Sequence, residues 1–213
     1  MNQPFIARVY EGYWRPAFVT VATRRVPNRG AEFEQACRYL CGGDKALQDD
    51  APVVDLSCGP GLFARHLIES ENFRHVYALD LSEPMVKQCV KLGEHLGSEL
   101  CVIRGDVHEL PFQDGQVAAV HAGAAFHMWP QPSKAVHEIF RILRPGGVFV
   151  ASTFVHKEGR RLSKAAATVF ERSTNTTIFD PSKLRDMLSE AGFVGFEETR
   201  RGIFSLFRVS RPL

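Results

Sequence analysis

Five cysteines, an odd number, stand in a chain of 213 residues without paired spacing. That excludes a disulfide framework and points to a reducing compartment. Cys37 and Cys41 lie one helical turn apart in EFEQACRYLC, yet no His or further Cys stands beside them at ligand spacing, so no zinc site is expected. No apolar run approaches the ~20 residues of a membrane span. The opening stretch MNQPFIARVYEGYW lacks the charged-then-apolar layout of a secretory signal. Together these absences predict a cytoplasmic protein, or a plastid one if the chain is a mature form. Repeats, low-complexity tracts and linkers are missing too. A net charge of +2 without a basic stripe argues against nucleic acid as partner. The charge is uneven: residues 51–155 hold eight Lys/Arg against eleven Asp/Glu, and 156–213 hold eleven against seven. A solvated face explains that imbalance more simply than an anionic substrate does.

What the chain does contain is 45% hydrophobic residues, enough for one sizeable core, and the expectation is a single domain over 1–213. Short apolar runs alternate with helical periodicity, the pattern of an α/β fold with a largely parallel sheet. Strands are expected at 52–57, 75–80, 100–104, 117–122 and 147–154. Their near-continuous apolar character fits strands covered on both faces. Ala135, Val136, Ile139, Phe140 and Leu143 form one stripe of a helix over 132–143, which LRPGG should stop before the next strand begins. Ser82 is a good N-cap for a helix over 83–96, with Pro84 in its first turn. Asp180, Pro181 and Gly192 bracket a helix at 181–191. Two β-rich runs, 193–199 and 203–210, separated by Arg200-Arg201-Gly202, read as a closing antiparallel hairpin.

The chemistry concentrates in VVDLSCGPGLFARHL, Val53 to Leu67. Gly59-Pro60-Gly61-Leu62-Phe63-Ala64 satisfies the G-x-G-x-x-G/A pattern of a nicotinamide-binding turn. In an open α/β sheet, ligands sit beyond the carboxyl ends of the strands where strand order reverses, so Asp55 should point into that crevice. A pyrophosphate would be repelled by such a carboxylate. S-adenosylmethionine has no phosphate; it has a sulfonium, an ammonium and a carboxylate, and an acidic residue suits its methionine end. Asp80 ends the second predicted strand, nineteen residues past Gly61, where a carboxylate can accept both ribose hydroxyls. Asp106, beyond the third strand, can accept a bond from an adenine amino group. Three carboxylates at successive strand ends make a cup for a cationic nucleoside.

These stretches, with VYALDLSEPMV, GDVHELPFQDGQVAAVHAG and EIFRILRPGGVFVASTF, resemble the class I S-adenosylmethionine-dependent methyltransferases over about residues 52–155. FDPSKLRDMLSEAGFVGFEETRRG looks like that family's last helix and hairpin. HAGAAFHMWPQPSKAVHEI is similar to a narrower group from plants, algae and cyanobacteria, related to the quinone-methylating enzymes and often plastid-targeted. The resemblance implies a Rossmann-like, seven-stranded, mostly parallel sheet with helices on both faces. By position, Asp55, Ser57, Cys58, Gly59 and Gly61 would line the methionine part of the cofactor, and Asp80, Leu81 and Met85 the ribose and adenine. Asp106 and Val107 would take the adenine edge, while His121, Ala122 and Gly123 run beneath the sulfonium. Ser57 stands where glycine is commoner; its hydroxyl would bond the cofactor or its own backbone.

Methyl transfer is an in-line displacement whose main demand is alignment, with a base needed only if the nucleophile arrives protonated. His127, in the loop after the fourth strand, is the candidate base; the alternatives are local packing or a cofactor contact. Tyr10, Tyr13 and Trp14, with Trp129, are the candidate substrate contacts. The first three would ride on an N-terminal helical lid over 1–47 that excludes water. The expected activity is methyl transfer from S-adenosylmethionine to a small aromatic or quinol-like acceptor by a monomer or homodimer. An NAD-dependent oxidoreductase and a non-catalytic cofactor-binding scaffold are the alternatives.

Overall fold

The computed structural model describes residues 29–41, 52–156 and 177–213. Helix α1 (Arg29–Cys41) precedes β1 (Val53–Leu56), α2 (Leu62–Glu69), β2 (Val76–Asp80) and α3 (Glu83–Gly93). A 3-10 segment, Glu94–Glu99, leads into β3 (Leu100–Arg104) and then β4 (Val117–Ala122). After a short turn at Phe126–Met128 come α4 (Pro132–Ile142), β5 (Leu143–Phe154), α5 (Pro181–Glu190), β6 (Val194–Arg201) and β7 (Phe204–Ser210). Among the described residues, no helix is long and apolar enough to cross a membrane.

The strands form one seven-stranded Rossmann-like sheet in the order β3-β2-β1-β4-β5-β7-β6. β1 to β5 are parallel, and β7 runs antiparallel to both β5 and β6. The order reverses between β1 and β4, which makes the ends of those two strands the place for a ligand. Every residue of β1 and β4 is buried. Val54, Leu56, Val120, Phe149 and Phe207 share one apolar cluster with α4 and α5. Val53, Ala119, Val150 and Leu206 share the other with α1 and α2. This period-two division is why these strands read as unbroken apolar runs.

Three expectations needed correction. LRPGG does not separate α4 from the next strand: α4 ends at Ile142, and Leu143 already pairs with Val117. The register then shifts before Ala119 pairs with Val148. Pro145 is tolerated at this irregularity because no regular ladder bond is asked of it. Gly147 is needed there, since a Cβ would press on the Arg144 and Ala118 carbonyl oxygens. Ser82 does occupy the N-cap of α3, but its side chain makes no cap bond; its backbone N–H goes to Asp80 Oδ1 instead. The hairpin is also tighter than expected. Arg200 and Arg201 belong to β6 and pair with Ser205 and Phe204, leaving Gly202 and Ile203 as the turn. Asp180 caps α5 as expected, accepting from the Ser182 N–H at 2.9 Å.

Phe126, Phe149 and Phe207 are fully buried and meet pairwise with ring centroids 5.7–6.2 Å apart. Truncating a ring in such a cluster leaves a cavity. Phe149→Ala is expected to cost ~3–5 kcal/mol, seen as a fall of roughly 6–20 °C in melting temperature by scanning calorimetry. A shift of a degree or two would mean that the cluster collapses to fill the gap.

Candidate functional site

The glycine loop follows β1 and is built on alternate left-handed residues: Ser57, Gly59 and Gly61, with φ of 53°, 56° and 74°. This winding presents successive backbone groups to one side. Cys58 N–H donates to Leu79 O at 3.1 Å, and Gly59 N–H donates to Asp80 Oδ2 at 2.8 Å, so the loop is fastened to the end of β2. Gly61 caps α2, and a Cβ there would collide with the Cys89 sulfur of α3. The Cys58 thiol is pushed up by its contact with Cys89, by burial and by the nearby Asp55 and Asp80 charges, so it stays protonated. Cys58 therefore packs the loop against α3 as a neutral group.

Asp80 accepts from two backbone N–H groups, Gly59 on Oδ2 and Ser82 on Oδ1, the latter at 2.8 Å. Its carboxyl is nevertheless raised from the ordinary range, because burial outweighs those two bonds. Each oxygen keeps a lone pair directed away from the backbone donors, enough for a diol. Beside it Leu81 is 62% exposed, an apolar side chain held in water, while Met85 is buried.

Asp106 sits beyond β3. Its Oδ1 accepts from the His108 N–H at 2.9 Å and from the His108 ring at 2.6 Å. The His108 backbone bond leads the causes that hold this carboxyl below its usual range. Val107 is buried next to it. The segment is clamped from α4: Glu138 accepts from Leu110 N–H at 2.8 Å, and Arg141 donates to the Leu110 and Phe112 carbonyls at 3.0 and 2.8 Å. Glu138 and Arg141 also pair with each other.

Asp55 does not stand free at a strand end. It is the third residue of β1, in register with His121 of β4, and the two are 2% and 3% exposed. Asp55 Oδ1 and His121 Nδ1 are 2.8 Å apart. Phe63, from the first turn of α2, stacks on the His121 ring with centroids 3.5 Å apart and planes 9° from parallel. Phe33 of α1 then meets Phe63 edge-on at 5.0 Å. Asp55 Oδ2 is buried with no hydrogen-bond partner among the described residues. An orphaned carboxylate oxygen is costly unless a ligand donor answers it. Ala122, the last residue of β4, is buried behind this pair.

Hydrogen bonds to distant segments fix the loop after β4. Ala124 N–H donates to Ser152 Oγ at 2.7 Å, Thr177 N–H donates to His127 O at 2.9 Å, and Trp129 Nε1–H donates to Ser57 Oγ at 3.0 Å. His127 is 3% exposed and lies 4.6 Å from the Phe154 ring, centroid to centroid. Burial pushes its imidazole down to about 4. Trp129 is 6% exposed and packs on Phe126. Its indole is turned to the glycine loop, a different neighbour from the acceptor expected of it. The Ser57 hydroxyl oxygen is the acceptor of the indole N–H bond. Tyr10, Tyr13 and Trp14, and with them the first part of the expected lid, lie outside the described residues.

A family profile described as a methyltransferase domain matches residues 54–151. The chain is 37% identical, over 221 residues, to an uncharacterised chloroplastic methyltransferase of Arabidopsis thaliana, covering 98% of this chain and 59% of that relative. A second such protein from the same plant is 34% identical over 99% of this chain and 59% of its own. The class I S-adenosylmethionine-dependent methyltransferase family is where this chain belongs. The chain spans about three fifths of the length of these curated relatives. Its fold matches the geranyl diphosphate C-methyltransferase of Streptomyces coelicolor, solved with S-adenosylhomocysteine, at a TM-score of 0.70 and 15% identity over 87% of this chain and 79% of that one.

Within the family fold, Asp55 lies in β1 beside the switch point, Asp80 closes β2 and Asp106 follows β3. Sequence reasoning missed Phe63, His108, Glu138 and Arg141. Glu138 and Arg141 carried a signal, the i, i+3 spacing of opposite charges, but that spacing reads as a surface pair. His127 yields a test of its burial. Its folded value of about 4 lies below the ordinary 6.5, so between those pH values the unfolded chain binds more protons than the folded one. Stability therefore falls as pH drops through 6.5 and levels off below about 4. The slope should approach ~1.4 kcal/mol per pH unit inside that window. Urea unfolding from pH 7 to 4.5 should show this slope, and His127→Gln should flatten it; parallel curves would place the imidazole in water.

Proposed function

We propose that the protein transfers the methyl group of S-adenosylmethionine to a small, flat, apolar acceptor of the phenol or quinol kind. The observation that carries this reading is the buried Asp55 Oδ2, unanswered among the described residues, beside a glycine loop whose Gly59 N–H is already committed to Asp80. A loop built for a pyrophosphate would keep its amides free and its carboxylates distant. Here Asp55 Oδ2 and the outer lone pairs of Asp80 and Asp106 are open acceptors, which suit an ammonium, a ribose diol and an adenine amino group. When bound, the cofactor supplies an electrophilic methyl carbon on a sulfonium.

The residues then divide the work. Asp55 Oδ2 receives the ammonium, with His121 holding the carboxylate in place from its other oxygen. Ser57, Cys58, Gly59 and Gly61 supply the close backbone wall along the methionine chain. Asp80 accepts the ribose hydroxyls. Leu81 and Met85 would flank the adenine, which would give the exposed Leu81 side chain an apolar partner, and Val107 would lie with Asp106 at the adenine edge. Asp106 takes the adenine amino group through the oxygen that His108 leaves outside its contacts. His121 and Ala122 form the floor below the sulfonium.

His127 receives the acceptor's proton. Its burial keeps the ring neutral and able to accept at pH 7, while making it a weak base. Its contribution is accordingly toward the lower end of the ~10²–10⁴-fold range of general bases. Tyr10, Tyr13 and Trp14 remain the proposed acceptor lid. The chloroplastic relatives favour a plastid setting over the cytoplasm, and the likeness of HAGAAFHMWPQPSKAVHEI to relatives of the quinone-methylating enzymes supports the acceptor class.

Calorimetric titration with S-adenosylmethionine, S-adenosylhomocysteine and NADH tests the cofactor. The first two should bind and NADH should be silent; binding of NADH alone would overturn the reading from Asp55 onward. Asp80→Ala should weaken S-adenosylmethionine by ~1–3 kcal/mol through orphaned ribose hydroxyls, and unchanged affinity would remove Asp80 from the ribose. In a methyl-transfer screen of phenols and quinols, His127→Ala should lower turnover more than cofactor affinity. A loss confined to binding would make His127 a cofactor contact.

A further inference from the structure

Ser57 is the one non-glycine member of the three left-handed positions in the cofactor loop. An L-residue there crowds its Cβ against the following carbonyl and persists only if its surroundings hold it. The structure supplies one such hold: the Trp129 indole N–H, 72 residues away, donates to Ser57 Oγ at 3.0 Å. Trp129 is itself held by burial and by the Phe126 ring at 5.0 Å. It immediately follows the 3-10 turn Phe126–Met128, whose middle residue is His127. Ala124 N–H on Ser152 Oγ and Thr177 N–H on His127 O anchor the same segment toward β5 and the stretch that follows it. The indole bond joins the loop after β4 to the loop after β1.

We infer that the Trp129–Ser57 hydrogen bond is a strut that imposes the binding conformation on the cofactor loop, and that Trp129 is a positioning residue for S-adenosylmethionine rather than an acceptor contact. A glycine at position 57 would take the left-handed conformation without help; the serine needs the strut, and in exchange the strut ties the shape of the cofactor loop to the turn that carries His127. The inference rests on the cofactor reading proposed above.

The test is a set of variants measured by calorimetry with S-adenosylmethionine, together with hydrogen exchange of the Trp129 indole N–H in a tryptophan-labelled sample. Trp129→Phe keeps a ring in the core, and its melting temperature checks that the fold survives. It should bind S-adenosylmethionine roughly three- to tenfold more weakly, the worth of one hydrogen bond. Ser57→Ala should do the same, and the Ser57→Ala/Trp129→Phe pair should be no weaker than either alone. Ser57→Gly, which takes the left-handed conformation without a strut, should rescue Trp129→Phe to within about twofold of Ser57→Gly itself. The indole proton should exchange slowly in the wild type and roughly tenfold faster in Ser57→Ala.

Multiplying losses in the double variant would overturn the strut, as would failure of Ser57→Gly to rescue. So would a loss in Ser57→Gly as large as in Ser57→Ala, which would place the hydroxyl on the cofactor directly. The exchange readout separates the two readings. If the wild type ignores S-adenosylmethionine while the indole proton still answers to Ser57→Ala, the cofactor reading fails and the bond stands without its role. If the proton is indifferent to Ser57, the bond itself is absent.

Discussion

Asp55 and His121 lie side by side in register across the two central strands, both closed off from water. A buried carboxylate needs something to answer its charge, and the imidazole answers one oxygen only. Because side chains alternate with period two, sliding β1 by one residue against β4 would throw Asp55 to the opposite face, into the apolar cluster around Phe126. The pair therefore sets the register at the one place where strand order reverses. The loops after β1 and β4 leave the sheet from those strands, so their relative height follows from this contact. Phe63 seals it by lying flat on the imidazole, which places the first turn of α2, and Gly61 before it, against the same point.

Around that contact the site is made mostly of backbone held by side chains. Asp80 fastens the glycine loop, Glu138 and Arg141 fasten the segment after β3, and Ser152 fastens the loop after β4. Each fastening joins two segments far apart in sequence. Such an arrangement places few flexible side chains in the ligand's path and leaves recognition to groups already ordered, which lowers the entropy lost on binding.

Much of the fold was legible because its signals were local. The strands 100–104 and 117–122 end where their apolar runs end, since charged residues or glycines bound them. Asp180-Pro181 and Gly192 mark α5 by cap chemistry alone. The start of β5 was not legible, because Leu143 completes the apolar stripe of α4 and is equally a buried strand residue; periodicity cannot choose between the two. In the site, the three carboxylates could be read because each interrupts, ends or follows an apolar run. Their partners could not. Nothing in the spacing ties Trp129 to Ser57, Phe63 to His121 or Arg141 to Leu110, since those contacts exist only once the sheet brings distant segments together. Ser57 was visible as an exception to glycine, but its reason lay 72 residues downstream.

The order of the last strands has a consequence for synthesis. β7 lies between β5 and β6, although it is made after both. When Phe154 has emerged, β5 presents an open edge that β6 does not cover, and the strand that does cover it begins only at Phe204. At ordinary ribosomal rates that interval lasts about 2–10 s. During it the parallel half of the sheet exposes unpaired backbone beside apolar side chains such as Phe149 and Ala151, a template for misplaced pairing between nascent chains. A holdase engaged during that interval would bind a species with its cofactor half assembled and its sheet still unclosed.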